Sequence, residues 1–179
     1  MTTNTPSSPR VLGILRSADG KGVVRIEDRF DTDIDDLWST ITEPDRLARW
    51  LGDVEGDLRL GGEFRARFFA SGWEGSGRVD VCEPPRRLLV VTKSAEEEQY
   101  GHSIEATLTG DGNGTLLVWE ERGMPLDLLA EYGAGIQVHV EDLGAYLAGQ
   151  GRIDAQARWG ELLPAYKELA SGVNQVPGP

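Results

Sequence analysis

One cysteine, Cys82, and two histidines, His102 and His139, are all the thiol and imidazole chemistry this chain carries. A lone thiol cannot close an internal disulfide, and Cys82 stands among apolar residues, so a reducing, cytoplasmic setting is expected. Neither histidine has a cysteine, histidine or carboxylate at metal-ligand spacing, so no metal and no cofactor is expected. No stretch approaches the roughly 20 apolar residues of a membrane span. The first ten residues, MTTNTPSSPR, lack the charged start and apolar run of a secretory signal and read as a loose N-terminus, 1–10. Positive charge is also short. With 18 Lys+Arg against 30 Asp+Glu the net charge is -12, which argues against nucleic acid and anionic membrane as partners. There is no nucleophile elbow, phosphate loop or dinucleotide fingerprint; GWEGSG (Gly72 to Gly77) fails the G-x-G-x-x-G pattern.

What is present is periodicity. Val11 to Leu15 and Gly22 to Phe30 are β-rich runs around a tight-turn Asp19-Gly20, a hairpin. Ile34, Leu37, Trp38 and Ile41 then recur at helical spacing behind Asp33 and Asp36, a cap-like start. A second helix is predicted to begin at Thr42, with Asp45 three residues on and Leu47, Trp50 and Leu51 on one face. Five strands follow Gly52. The first has Phe64, Ala66 and Phe68 on one face and Arg65, Arg67 and Phe69 on the other, and Gly75 and Gly77 in the second let the sheet bend. Arg86 and Arg87 read as an edge-solvating pair at a strand start rather than an anion clamp.

The last apolar segment before Gly149 has a stripe of Leu129, Ile136, Val140, Leu143 and Leu147, with Gly133 and Gly135 predicting a bend or break inside it. Beyond it Trp159, Leu162, Tyr166 and Leu169 make another stripe, which Pro164 interrupts or restarts. The fold class is therefore α+β: one curved antiparallel sheet wrapped around a long helix, with a cavity expected between them.

IDDLWSTITEPDRLARWL, LGGEFRARF, GRVDVCEPPRRLLVVT, VWEERGM and GIQVHVEDLGAYLAG, in this order, resemble the START-like helix-grip (SRPBCC) superfamily. Within it the chain is similar to the branch of the C-terminal domain of the heat-shock-protein-90 ATPase activator. The resemblance covers Val11 to Gly149. It implies a helix-grip domain over 11–149, leaving a C-terminal helical appendage at 150–170 and a flexible tail at 171–179. It also implies a stress-response setting, with Trp38 anchoring the first helix to the sheet and Trp50 near the cavity mouth.

Glu121 shares a strand face with Leu117 and Trp119, so a carboxylate is expected on the concave side. The expected ligand-binding residues are aromatic Trp50, Phe64, Phe68, Trp73 and Trp119, polar His102, Glu121 and His139, and helical Ile136, Val140 and Leu143. Three functions follow, ranked in this order. First comes a non-catalytic module holding a hydrophobic small molecule such as a lipid, polyketide or aromatic compound. Second is a protein-interaction module, as the resemblance implies. Third is a cyclase- or dehydratase-type enzyme, which would need His102, Glu121, His139 and Asp142 to converge. The last stripe buries against the parent domain or, alternatively, forms a homodimer.

Overall fold

The structure, a computed structural model, describes residues 10–173. Most of the expected loose N-terminus (1–9) and of the expected tail (174–179) lies outside the described residues. Strands β1 (Gly13–Ala18) and β2 (Lys21–Phe30) form the predicted hairpin, and its turn puts both Asp19 (φ 53°) and Gly20 (φ 78°) in the left-handed region.

Helices α1 (Ile34–Thr42) and α2 (Pro44–Trp50) meet at an elbow. The Asp33 carboxylate caps α1 by accepting from the Asp36 N–H at 2.8 Å. Thr42, expected to cap α2, instead ends α1, and its hydroxyl donates to the Trp38 carbonyl at 2.7 Å. The cap position of α2 belongs to Glu43, with Pro44 next: proline has no N–H to satisfy and its φ suits a first turn, so a side-chain cap is dispensable.

Six strands follow rather than five: β3 (Gly52–Gly56), β4 (Glu63–Phe68), β5 (Glu74–Glu83), β6 (Arg87–Ser94), β7 (His102–Asp111) and β8 (Gly114–Met124). The sequence of β3, GDVEG, has a single apolar residue and hence no alternation to read. All eight strands form one antiparallel sheet in the order β1-β2-β8-β7-β6-β5-β4-β3. Gly77 faces Phe64 across β4 and β5, and a Cβ there would lie 2.3 Å from the Phe64 ring, so this glycine makes room for a cross-strand aromatic.

The sheet wraps α3 (Leu129–Leu147), which a single 3-10 turn at Leu126–Leu128 introduces. The expected break in α3 does not occur. Gly133 is needed for packing: a Cβ on it would lie 2.5 Å from the ring of Tyr166 on α4 (Ala155–Val173). Helix α4 runs continuously through Pro164 and lays Leu162, Tyr166 and Ala170 against α3 and β1, while Leu169 stays exposed. Tyr166 donates to the Gln137 Oε1 and accepts from the Gly13 N–H, so buried polar groups as well as apolar ones tie α4 to the body.

The main core lies between sheet and α3, where Leu37, Leu47, Trp50, Leu117, Trp119 and Leu143 pack together. The two tryptophans of the opening helices stand in the reverse of the expected order. Trp50 is buried, with its Nε1 donating to the Thr40 carbonyl at 3.1 Å and its ring edge-on to Trp119 at 6.4 Å, whereas Trp38 is only half-buried. α2 is short and lies against β3, which turns its last residue inward.

Candidate functional site

Strand β8 alternates Leu117, Trp119 and Glu121 onto the concave face, as its sequence predicts. The Glu121 carboxylate is buried there, and both its oxygens are engaged: Oε1 meets His102 Nε2 at 2.6 Å and Oε2 accepts from Trp119 Nε1 at 2.7 Å. The β7–β8 register, Ile104↔Glu121, sets His102 beside that carboxylate. Burial alone would lower the His102 pKa, but the hydrogen bond and charge of Glu121, with Glu97 behind them, outweigh it and leave the imidazole more basic than usual.

Helix α3 supplies the opposite wall. Tyr132 stacks obliquely on His102 at 6.0 Å, and two turns later His139 meets the Phe68 ring edge-on at 5.4 Å. Phe68 in turn leans on Trp73 at 4.9 Å. His139 is buried, and its Nδ1 is the one sealed side-chain nitrogen or oxygen without a hydrogen-bond partner among the described residues. Burial pushes its pKa down against the opposing charge of Glu121, so the imidazole is held neutral.

Phe68, Trp73 and His139 thus form one contact set and His102, Trp119 and Glu121 another, with Tyr132 and His139 of α3 two turns apart between them and the Glu121 charge felt at His139. Trp50, Ile136, Val140 and Leu143 do not line an open space; they are closed into the core around the Trp50–Trp119 pair. Phe64 belongs to a second cluster with Val79 and Val90. Asp142 does not converge with the histidines: it faces the α3–α4 connection and accepts from the Ile153 N–H at 2.8 Å, and burial pushes its pKa up. Two open depressions of about 460 and 440 Å³ lie along β3–β5, where charged residues such as Glu55 and Arg65 line both and Phe64 lines the first. Where the wrap was expected to leave a cavity, Trp50 and Trp119 pack edge-on with the aliphatic residues of the core.

Tyr132, partly exposed beside His102, escaped the sequence reading. Tyr132 stands seven residues before His139, two helical turns, and that spacing was a usable signal. The opposite sheet face holds a group with no such signal. Glu120 is buried beneath Arg16 at 3.2 Å, Arg25 at 3.5 Å and Arg122, and these arginines hold its carboxyl below the usual range despite its burial. Among the described residues no group of three or more His, Cys, Asp or Glu is placed to hold a metal ion, and no helix is long and apolar enough to cross a membrane.

Residues 31–148 match the family described as activator of Hsp90 ATPase homolog 1-like protein (AHSA1). The chain belongs to that family. Its helix-grip architecture is shared with CalU16 from Micromonospora echinospora, at 29% identity over 89% of this chain and 96% of that one, with a TM-score of 0.71. DynU16, from the dynemicin biosynthetic locus, is 28% identical over 76% of this chain and 51% of its own, with a TM-score of 0.67. The Aha1 dimer from Colwellia psychrerythraea shares the fold at 18% identity, covering 70% of this chain and 95% of that one, with a TM-score of 0.61. No curated protein matches the chain. The AHSA1 match ends just before Gly149, so α4 stands outside the family region while packing on it.

Proposed function

We propose that this AHSA1-family chain is a non-catalytic binding module for a small, apolar, ring-bearing molecule, taken at the mouth between Tyr132 and His139 of α3 and Phe68 and Trp73 of β4 and the turn after it. The observation that carries the reading is His139. A buried imidazole nitrogen without a partner costs about 1–3 kcal/mol of desolvation, and a ligand group that displaced the neighbouring Phe68 ring to reach it would recover that cost. Half-buried aromatic rings around it offer flat apolar contact, and mouths of this make-up hold small molecules by a few placed polar groups in an apolar wall. Similarity to DynU16, a protein in the dynemicin biosynthetic locus, is in keeping with a small-molecule ligand of polyketide or aromatic kind. The domain 11–149 carries the site, and α4 serves as a cover for α3. A reducing cytoplasm suits the single thiol of Cys82.

Family membership supports a second reading, docking on a chaperone or on a second copy of the chain, and the Colwellia Aha1 is a dimer. Native mass spectrometry of the full chain, purified without detergent, tests the first reading. The expected result is a co-purifying mass that denaturation releases, or a rise in melting temperature with members of a panel of fatty acids, flavonoids and polyketides. A bare monomer that no member stabilises would remove the ligand reading, and a dimer without ligand would favour the second.

A further inference from the structure

The mouth is charge-balanced on the inside and acidic on the outside. Both Glu121 oxygens are hydrogen-bonded, to His102 and Trp119, and its charge is paired with His102, so an incoming cation finds no unpaired carboxylate there. Burial holds His139 neutral and His102 is paired with Glu121, so neither imidazole offers an anion a free positive charge. Beside it runs the β6–β7 loop with Glu96, Glu97 and Glu98, where Lys93 Nζ also donates to the Glu98 carbonyl at 3.3 Å. The backbone N–H of Ser94 holds the Glu97 carboxylate at 2.8 Å, and Glu97 adds its charge to the field at both His102 and Tyr132. Burying an unpaired ionic group beside this set would cost several kcal/mol. The polar atom left unsatisfied is His139 Nδ1, which donates or accepts according to the imidazole tautomer. A hydroxyl satisfies either form, since it both donates and accepts.

Resting on the binding reading above, we infer that the ligand class is the uncharged aromatic alcohol or phenol, with its rings against Phe68, Trp73 and Tyr132 and its hydroxyl on His139. Long-chain carboxylates and aromatic amines are thereby disfavoured, the first by the glutamates of the β6–β7 loop and both by the lack of a free counter-charge.

Four probes built on one ring system separate the terms: anthracene, anthracene-methanol, anthracene-carboxylate and anthracene-methylammonium, each titrated into the full chain by fluorescence. Anthracene-methanol is expected to bind about tenfold more tightly than either ion, and about three- to tenfold more tightly than bare anthracene, the worth of one hydrogen bond to a buried group. In His139→Leu the ratio of anthracene-methanol to anthracene affinity is expected to fall to about one. Equal or tighter binding of the carboxylate or the ammonium overturns the inference and leaves the binding reading intact. Retention of the alcohol's advantage in His139→Leu also overturns it. Failure of all four probes to bind would sink the binding reading itself.

Discussion

His102 and His139 sit in one groove yet are pulled in opposite directions, and this gives the chain a measurable pH signature. Burial makes His139 less basic folded than unfolded, so its neutral form suits the fold, and stability is lost as pH falls through the ordinary histidine range. His102, raised by Glu121, contributes stability below its unfolded pKa that fades as pH rises through the folded value. Urea denaturation of the variants against the parent chain separates the two. His139→Leu should gain more stability over the parent at about pH 5.5 than at about pH 8, and His102→Gln should lose more at about pH 5.5 than at about pH 8. A His102→Gln variant that loses no more at about pH 5.5 than at about pH 8 would mean that the pairing of His102 with Glu121 is absent in solution. The sequence made His102, Glu121 and His139 visible as scarce polar residues near an apolar face, but Asp142 looked equally eligible. Only the packing of the α3–α4 connection turns Asp142 away. Trp38 and Trp50 were likewise indistinguishable by helical spacing, because the side each helix presents to the sheet is set by the α1–α2 elbow and by β3.

Helices α3 and α4 carry the lesson at the next scale. Propensity reads Gly133 and Gly135 as a break, and tertiary contact reads Gly133 as clearance for a neighbouring helix, because Tyr166 fills the space that a side chain would take, whereas a Cβ on Gly135 would come no closer than 4.0 Å to Trp159. Gly133→Ala therefore sets a helix-propensity gain of about 1 kcal/mol against overpacking that costs about 1–3 kcal/mol. The Tyr166 ring cannot retreat, since it is fully buried and its hydroxyl is bonded to Gln137 and Gly13. A Cβ added to Gly160 on α4 would meet nothing within 4 Å, so Gly160→Ala should instead stabilise by about 0.5–1 kcal/mol. Thermal melts of the two variants check the contrast, and a stabilised Gly133→Ala would show that α4 is loosely docked. The amphipathic stripe of α4 was legible as an apolar face needing cover. Its burial against the parent domain was the first expectation, and α4 does pack on α3 and β1; which surface takes it was not legible, because the hydrogen bonds of Gln137 and Tyr166 join residues far apart in the chain.

At the scale of the whole molecule the order of elements was the strongest signal: a hairpin, two short helices, a meander and a long helix specify one sheet wrapped on one helix, and the AHSA1 match agrees with that order. The filling of the wrap was not legible, because cavity or core depends on how two indoles from distant segments meet. Function rests on that interior, so the deciding measurement is one that reports from several places inside at once. The chain carries five tryptophans, Trp38, Trp50, Trp73, Trp119 and Trp159, whose indole N–H signals are resolvable in a nitrogen–proton correlation spectrum. Titration of the full, isotope-labelled chain with anthracene-methanol should shift the Trp73 signal and that of Trp119, whose N–H is held by Glu121 beside His102, and leave Trp38 and Trp159 in place. Shifts at Trp38 or Trp159 with Trp73 and Trp119 unmoved would contradict a binding site at the mouth of the groove.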